Sequence, residues 1–189
     1  MSTTVLKTKE KTKLSVKTQT LAALTATVAA VAVPQLFHAV GALSGLGTAL
    51  GETFLPMHLP ILLVGLLAGP YAGLAAGALG PLVSFGLSGM PAAAMLPFMM
   101  IELAVYGLTA GLLRNVQIPA FGKLLAAQAA GRAVRAVAIL VSVYAFGNDA
   151  VGVPVIWNSI VTGLPGLLLQ WSLLPLIVFW VENHRKEER

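Results

Sequence analysis

Charged side chains fill only 10% of the 189 positions, hydrophobic ones fill 57%, and the mean hydropathy is +0.86. A soluble domain carries roughly 25% charged residues because its surface must face water, so this composition excludes a water-soluble globular fold and makes lipid the natural solvent for most of the chain. The net charge of +5 does not point to nucleic acid, because the positive residues gather in the tails and one short connection rather than over a folded face.

Residues 1–17 are polar, with Lys7, Lys9, Lys11, Lys13 and Lys17 set among Thr and Ser. They read as a cytoplasmic tail whose lysines can touch anionic headgroups. The following apolar run from Leu21 to Val33 continues to Val40 with no polar cleavage region, so a cleavable secretory signal is not expected.

The membrane domain is expected over 18–182, with a short second tail at 183–189. One crossing needs about 20 apolar residues, which leaves room for about six helices. Span 1 is placed at 18–40 with Pro34 inside it, followed by a glycine-rich connection from Gly41 to Pro56. Spans 2 and 3 cover 58–69 and 71–87 and meet at Gly69-Pro70. Span 2 is short for a full crossing and must be tilted, broken or longer than its apolar core. Span 4 covers 94–113, span 5 covers 123–146 and span 6 covers 155–181, with turn signals at Gly89-Met90-Pro91 and Gly147-Asn148-Asp149.

The charges test this layout. With both ends inside, ten of the 12 basic residues fall on the cytoplasmic side; Arg132 and Arg135 lie within span 5, and the outer connections carry only Glu52 and Asp149. This is the asymmetry of the positive-inside rule. The fold class expected is therefore all-α: a six-helix integral membrane bundle with cytoplasmic N- and C-termini.

Ionisable groups inside a bilayer are costly and mark function or a structural pair. Glu102 on span 4 and Arg132 and Arg135 on span 5 are such groups. The two arginines are three residues apart and share one helix face. Arg135 and Glu102 each lie about 12 Å from the outer edge on consecutive antiparallel helices, so a Glu102–Arg135 ion pair is expected. Arg132 is then left over, and a second buried cation needs an acceptor such as a carbonyl, water or the carboxylate or phosphate of a bound molecule.

His38 and His58 have no partner at metal spacing. Both read as hydrogen-bonding or helix-end residues, and no metal or cofactor is expected. Met57, Met90, Met95, Met99 and Met100 offer either a soft apolar wall or ordinary packing. Ala22, Ala26 and Ala30 recur every four residues on span 1, and Gly65, Gly69, Gly73 and Gly77 do the same on spans 2 and 3. Such stripes let helices approach closely, either within this bundle or at a partner's surface.

Several chemistries find no motif. The chain has Cys 0, which removes disulfides, thiolate nucleophiles and cysteine metal sites. It has no P-loop, Gly-x-Ser-x-Gly or His-Glu-x-x-His. No catalytic residue is assigned and an enzyme is not expected.

The stretches Leu55-Pro-Met-His-Leu-Pro60, Gly80-Pro-Leu-Val-Ser84, Ser88-Gly-Met-Pro91 and Met100-Ile-Glu-Leu-Ala-Val-Tyr-Gly107 resemble the substrate-binding S components of energy-coupling factor (ECF) transporters. The likeness is clearest from span 1 to span 4. It implies a six-helix bundle in a bacterial or archaeal plasma membrane that binds a vitamin or precursor near its outer face. Its implied partners are a transmembrane coupling subunit and two ATPases, with no nucleic acid. The family's alanine-rich docking motif maps onto Ala22, Ala26 and Ala30. The family's ligand regions hold Glu52, His58, Glu102, Tyr106, Asn148, Trp157 and Asn158, and His38, Arg132 and Arg135 complete the expected substrate-binding set. The Pro-Met-His and Gly-Met-Pro stretches look most like the pantothenate branch. A cobalamin-type or other vitamin S component is the alternative, and a structural or assembly membrane protein is the alternative from another class.

Overall fold

The computed structural model describes residues 14–187, with side chains through His184. Lys7, Lys9, Lys11, Lys13 and Arg189, and the side chains of Arg185 and Lys186, on which part of the charge asymmetry rests, lie outside the described residues.

The described chain is all-helical: α1 Val16–Leu43, α2 Ala49–Phe54, α3 His58–Ala68, α4 Pro70–Ser88, α5 Leu96–Leu112, a 3-10 turn Leu113–Asn115, α6 Ala120–Phe146, α7 Pro154–Thr162 and α8 Leu164–Glu187. Six segments are long and apolar enough to cross a membrane, with windows of mean hydropathy from 1.3 to 1.8. Helix α1 begins where Ser15 accepts a hydrogen bond from the Thr18 N–H at 3.1 Å, satisfying one of the orphan donors of its first turn. Helix α8 runs on to Glu187, through the stretch where a tail was expected.

Two spans differ from the sequence expectation. Span 2 gains its missing length from α2, which stands before α3 across the Leu55–Met57 corner, so that Ala49–Ala68 makes a crossing of 20 residues. His58 consequently sits inside the bundle instead of at its outer end. Span 6 is not continuous: it breaks at Gly163 into α7 and α8. Pro165 lacks the N–H that an uninterrupted helix would use there and disfavours helical backbone at Leu164, so the helix restarts. Tertiary contact fixes the break. A Cβ at Gly163 would stand 2.8 Å from Leu55 Cδ1, and one at Gly166 would meet the Phe54 carbonyl, so both glycines admit the end of α2.

The tightest seam joins α4 to α5. A Cβ on Gly73 would collide with the Gly107 carbonyl, one on Gly107 with the Gly73 carbonyl, and one on Gly77 with the Leu103 carbonyl. Gly65 of α3 also rests against Gly107, so three helix backbones converge there. Lipid tails are as apolar as leucine, so close backbone packing rather than burial from water holds such helices together. Gly107→Ala should therefore cost about 1–3 kcal/mol through overpacking, read as a lower thermal midpoint in detergent. Gly86→Ala, at a helical site with open space around it, should leave the midpoint unchanged or raise it.

Candidate functional site

One end of the bundle is hollow. A cavity of about 440 Å³ opens where α1 and α4 finish and α3 and α5 begin, with α6 and α7 along its side. Its size falls within the range of small-molecule pockets. Met57, Met90, Met95 and Met99 supply an apolar wall; of the methionines singled out in the sequence, only Met100 is absent from it. His58, Glu102, Arg132 and Arg135 supply the polar wall, and α7 contributes Asn158, Ser159 and Thr162.

The polar wall follows from helix periodicity. On α6 the buried positions Leu124, Ala127, Gln128, Gly131 and Ile139 recur every three or four residues, and Arg135 continues that stripe. Gly131 has no side chain because the Tyr106 ring lies where its Cβ would be. This brings α6 close enough to α5 for Arg135 Nη1 to reach Glu102 Oε2 at 2.8 Å. Glu102 is 1% exposed. Its other oxygen accepts from the hydroxyl of Tyr106, one helical turn on, at 3.0 Å. The ring of His58 meets the edge of Tyr106 at a centroid distance of 5.4 Å. A carboxylate that is ion-paired on one oxygen and hydrogen-bonded on the other is the form in which a buried charge persists.

Arg132 is placed differently. It lines the same cavity, yet has no hydrogen-bond or ion-pair partner among the described residues, and its buried Nε is unpaired, as is Nδ1 of His58. Glu102 and Arg135 neutralise each other, and the wall's second carboxylate, Glu52, makes no ion pair with Arg132, so the Arg132 guanidinium lines the cavity with no carboxylate in contact among the described residues. Such an arrangement can bind an anion through a bidentate guanidinium contact. No three His, Cys, Asp or Glu side chains come together among the described residues to hold a metal.

Of the residues expected at the substrate site, His38, His58, Glu102, Arg132, Arg135 and Asn158 reach the cavity wall, and so does Glu52. Tyr106 does not: it is fully buried behind Glu102 and touches the site through that carboxylate. Trp157 is 67% exposed and also does not reach the wall, because α7 turns Asn158 inward and its neighbour outward. On α1, Ala26 and Ala30 are buried, with Ala30 against Gly80 of α4. Ala22 is half-buried, and the exposed face of α1 carries Leu21, Leu24, Val28 and Leu36. Pro34, Ser84, Ser159 and Thr162 also line the wall. Nothing in their spacing marked them, since small polar residues and prolines are ordinary in membrane helices.

A family model described as ECF transporter, substrate-specific component matches residues 16–178. No curated protein and no solved structure matches the chain.

Proposed function

The chain belongs to the family of ECF transporter substrate-specific components, and on that premise we propose that it captures pantothenate, or a vitamin precursor of similar size and charge, in the 440 Å³ cavity. The family makes it a multi-pass membrane subunit of a transporter and not an enzyme.

The observation that carries the substrate reading is Arg132. A half-buried guanidinium that lines a cavity with no hydrogen-bond or ion-pair partner among the described residues is costly to maintain, and a ligand carboxylate relieves that cost by charge-assisted hydrogen bonding. The methionine wall suits the aliphatic part of such a molecule, and Asn158, Ser159 and Thr162 suit its hydroxyl and amide groups. The cavity volume favours this small ligand over cobalamin, which is several times larger.

The cavity is proposed to open away from the cytoplasm. That end of the bundle carries Glu52, in the first turn of α2, and Asp149, in the α6–α7 connection, with no lysine or arginine in its connections, whereas Lys17, Arg114 and Lys123 lie at the opposite end. This division supports cytoplasmic termini. Family membership supports residence in a bacterial or archaeal plasma membrane, with energy from a transmembrane coupling subunit and two ATPases. Docking is proposed along α1, with Ala22 at the edge of the exposed Leu21–Leu24–Val28 face. Ala26 and Ala30, lying behind it, set how closely α1 rests on α4.

Purification in mild detergent from cells grown with pantothenate, followed by mass spectrometry of the released small molecules, tests this reading. Pantothenate at near one equivalent is expected. A bound molecule without an acidic group, or none at all, would overturn it.

A further inference from the structure

Two glutamines lie in the apolar interior away from the cavity. Gln170 of α8 is 0% exposed and Gln128 of α6 is 4% exposed. Neutral amides in such surroundings are costly unless their donors and acceptors are used. Here they form one chain of hydrogen bonds. The indole N–H of Trp171 donates to Gln128 Oε1 at 2.6 Å, Gln128 Nε2 donates to Gln170 Oε1 at 2.8 Å, and Gln170 Nε2 donates to the Leu55 carbonyl at 3.4 Å. The two ends fix the direction of the whole chain. An indole N–H only donates and a backbone carbonyl only accepts, so each amide has a single orientation that satisfies both neighbours.

The chain ends at a special piece of backbone. Leu55 adopts φ +48 and is the only non-glycine residue at positive φ among the described residues. For an L-residue with a Cβ this conformation costs about 1–2 kcal/mol. It persists because the surroundings hold it: the Leu55 N–H donates to the Gly51 carbonyl at 3.1 Å, and its own carbonyl also accepts from the His58 N–H at 3.1 Å. Leu55, Pro56, Met57 and His58 are consecutive cavity-lining residues, so whatever holds the Leu55 carbonyl holds one wall of the cavity.

We infer that Gln170 is a positioning residue for the ligand site, holding the Leu55–His58 wall through the Trp171–Gln128–Gln170 hydrogen-bond chain. This rests on the cavity being the ligand site. Interhelical attachment alone would need only the Gln128–Gln170 and Trp171 contacts between α6 and α8. The third bond leaves the helices and grips a strained corner of the wall. It is also the longest of the three, so a small shift of the wall tightens or releases it.

Hydrogen exchange on the full chain in detergent tests the assignment without requiring the ligand to be known. Gln170→Met, which keeps an unbranched side chain, should raise exchange of the backbone amides between Leu55 and Leu59 by about tenfold or more, while those of α6 and α8 stay as in the parent. Trp171→Phe keeps ring packing at a half-buried position and removes only the first donor. It should raise exchange in the same segment to a smaller extent, and it serves where Gln170→Met fails to fold. Unchanged exchange at the corner, or faster exchange spread along α6 and α8, would overturn the inference. In parallel, labelled pantothenate should bind Gln170→Met at least about tenfold more weakly than the parent, a difference of about 1.4 kcal/mol. Equal affinity with a loosened corner would also overturn it. If the parent itself binds no pantothenate, the substrate reading fails, and the exchange pattern alone decides the role of Gln170.

Discussion

Arg135→Gln is expected to be the most damaging single substitution in the membrane domain, lowering stability by about 3–5 kcal/mol. The cause is the partner left behind. Glu102 is 1% exposed, and its ion pair among the described residues is with Arg135 at 2.8 Å. Removing the guanidinium leaves a buried carboxylate with the Tyr106 hydroxyl as its remaining hydrogen-bond partner among the described residues. The double variant Glu102→Gln/Arg135→Gln removes both charges and should recover most of the loss, since a neutral amide pair costs far less to bury than one unpaired ion. Thermal unfolding of the four proteins in one detergent completes the cycle. A single variant within about 1 kcal/mol of the parent, or a double variant no better than Arg135→Gln, would show that the pair does not hold α5 to α6.

Arg132→Gln should do the opposite, sparing the fold and weakening capture. Arg132 has no hydrogen-bond or ion-pair partner to orphan among the described residues, so its loss removes a half-buried charge rather than a contact. Its proposed partner is the ligand carboxylate. A hydrogen bond to a charged group contributes about 1.5–3 kcal/mol, so the dissociation constant should rise by roughly ten- to a hundredfold. Arg132→Lys should fall between the two, because it keeps the charge but not the planar fork that grips both carboxylate oxygens. Equilibrium dialysis with labelled pantothenate measures all three. Unchanged affinity in Arg132→Gln would remove the anion from the site. A melting point that falls as far as that of Arg135→Gln would instead make Arg132 structural.

The two predictions diverge although the residues are one helical turn apart. Charge and spacing in the sequence put both arginines on one face of α6 at the depth of Glu102, and depth arithmetic was enough to anticipate the ion pair. The same arithmetic chose Arg135 over Arg132 for the carboxylate, and the structure adds the close approach that lets them meet, with the Tyr106 ring in the place of a Cβ at Gly131. Tyr106 itself was expected to touch ligand. It is one turn from Glu102 on the same face, and spacing cannot say whether such a neighbour stands beside the carboxylate or behind it.

Three features had no local signal. The amide chain joins positions 42 and 43 residues apart, then reaches Leu55 across 115. Neutral glutamines are unremarkable in any single helix, and only their convergence makes them costly or useful. The break at Gly163 lies inside an apolar run that reads as continuous, and it is seated by α2 from the far end of the chain. The alanine stripe on α1 was legible as a close-packing face. Whether that face meets a partner or α4 depends on how α1 is rotated within the bundle.

Composition and period by themselves determined that the chain lives in lipid, that it carries six helices long enough to cross, how its charges divide along the sequence and that Glu102 must be buried with a partner. Each of these follows from the cost of placing a charge or an unpaired backbone group in hydrocarbon, which every residue meets wherever its neighbours are. Only the tertiary structure decided that Tyr106 stands behind Glu102, which faces enclose the cavity and what grips the corner at Leu55. Those outcomes turn on ångström-scale approach between helices far apart in the chain, and packing at that scale is a property of pairs of surfaces.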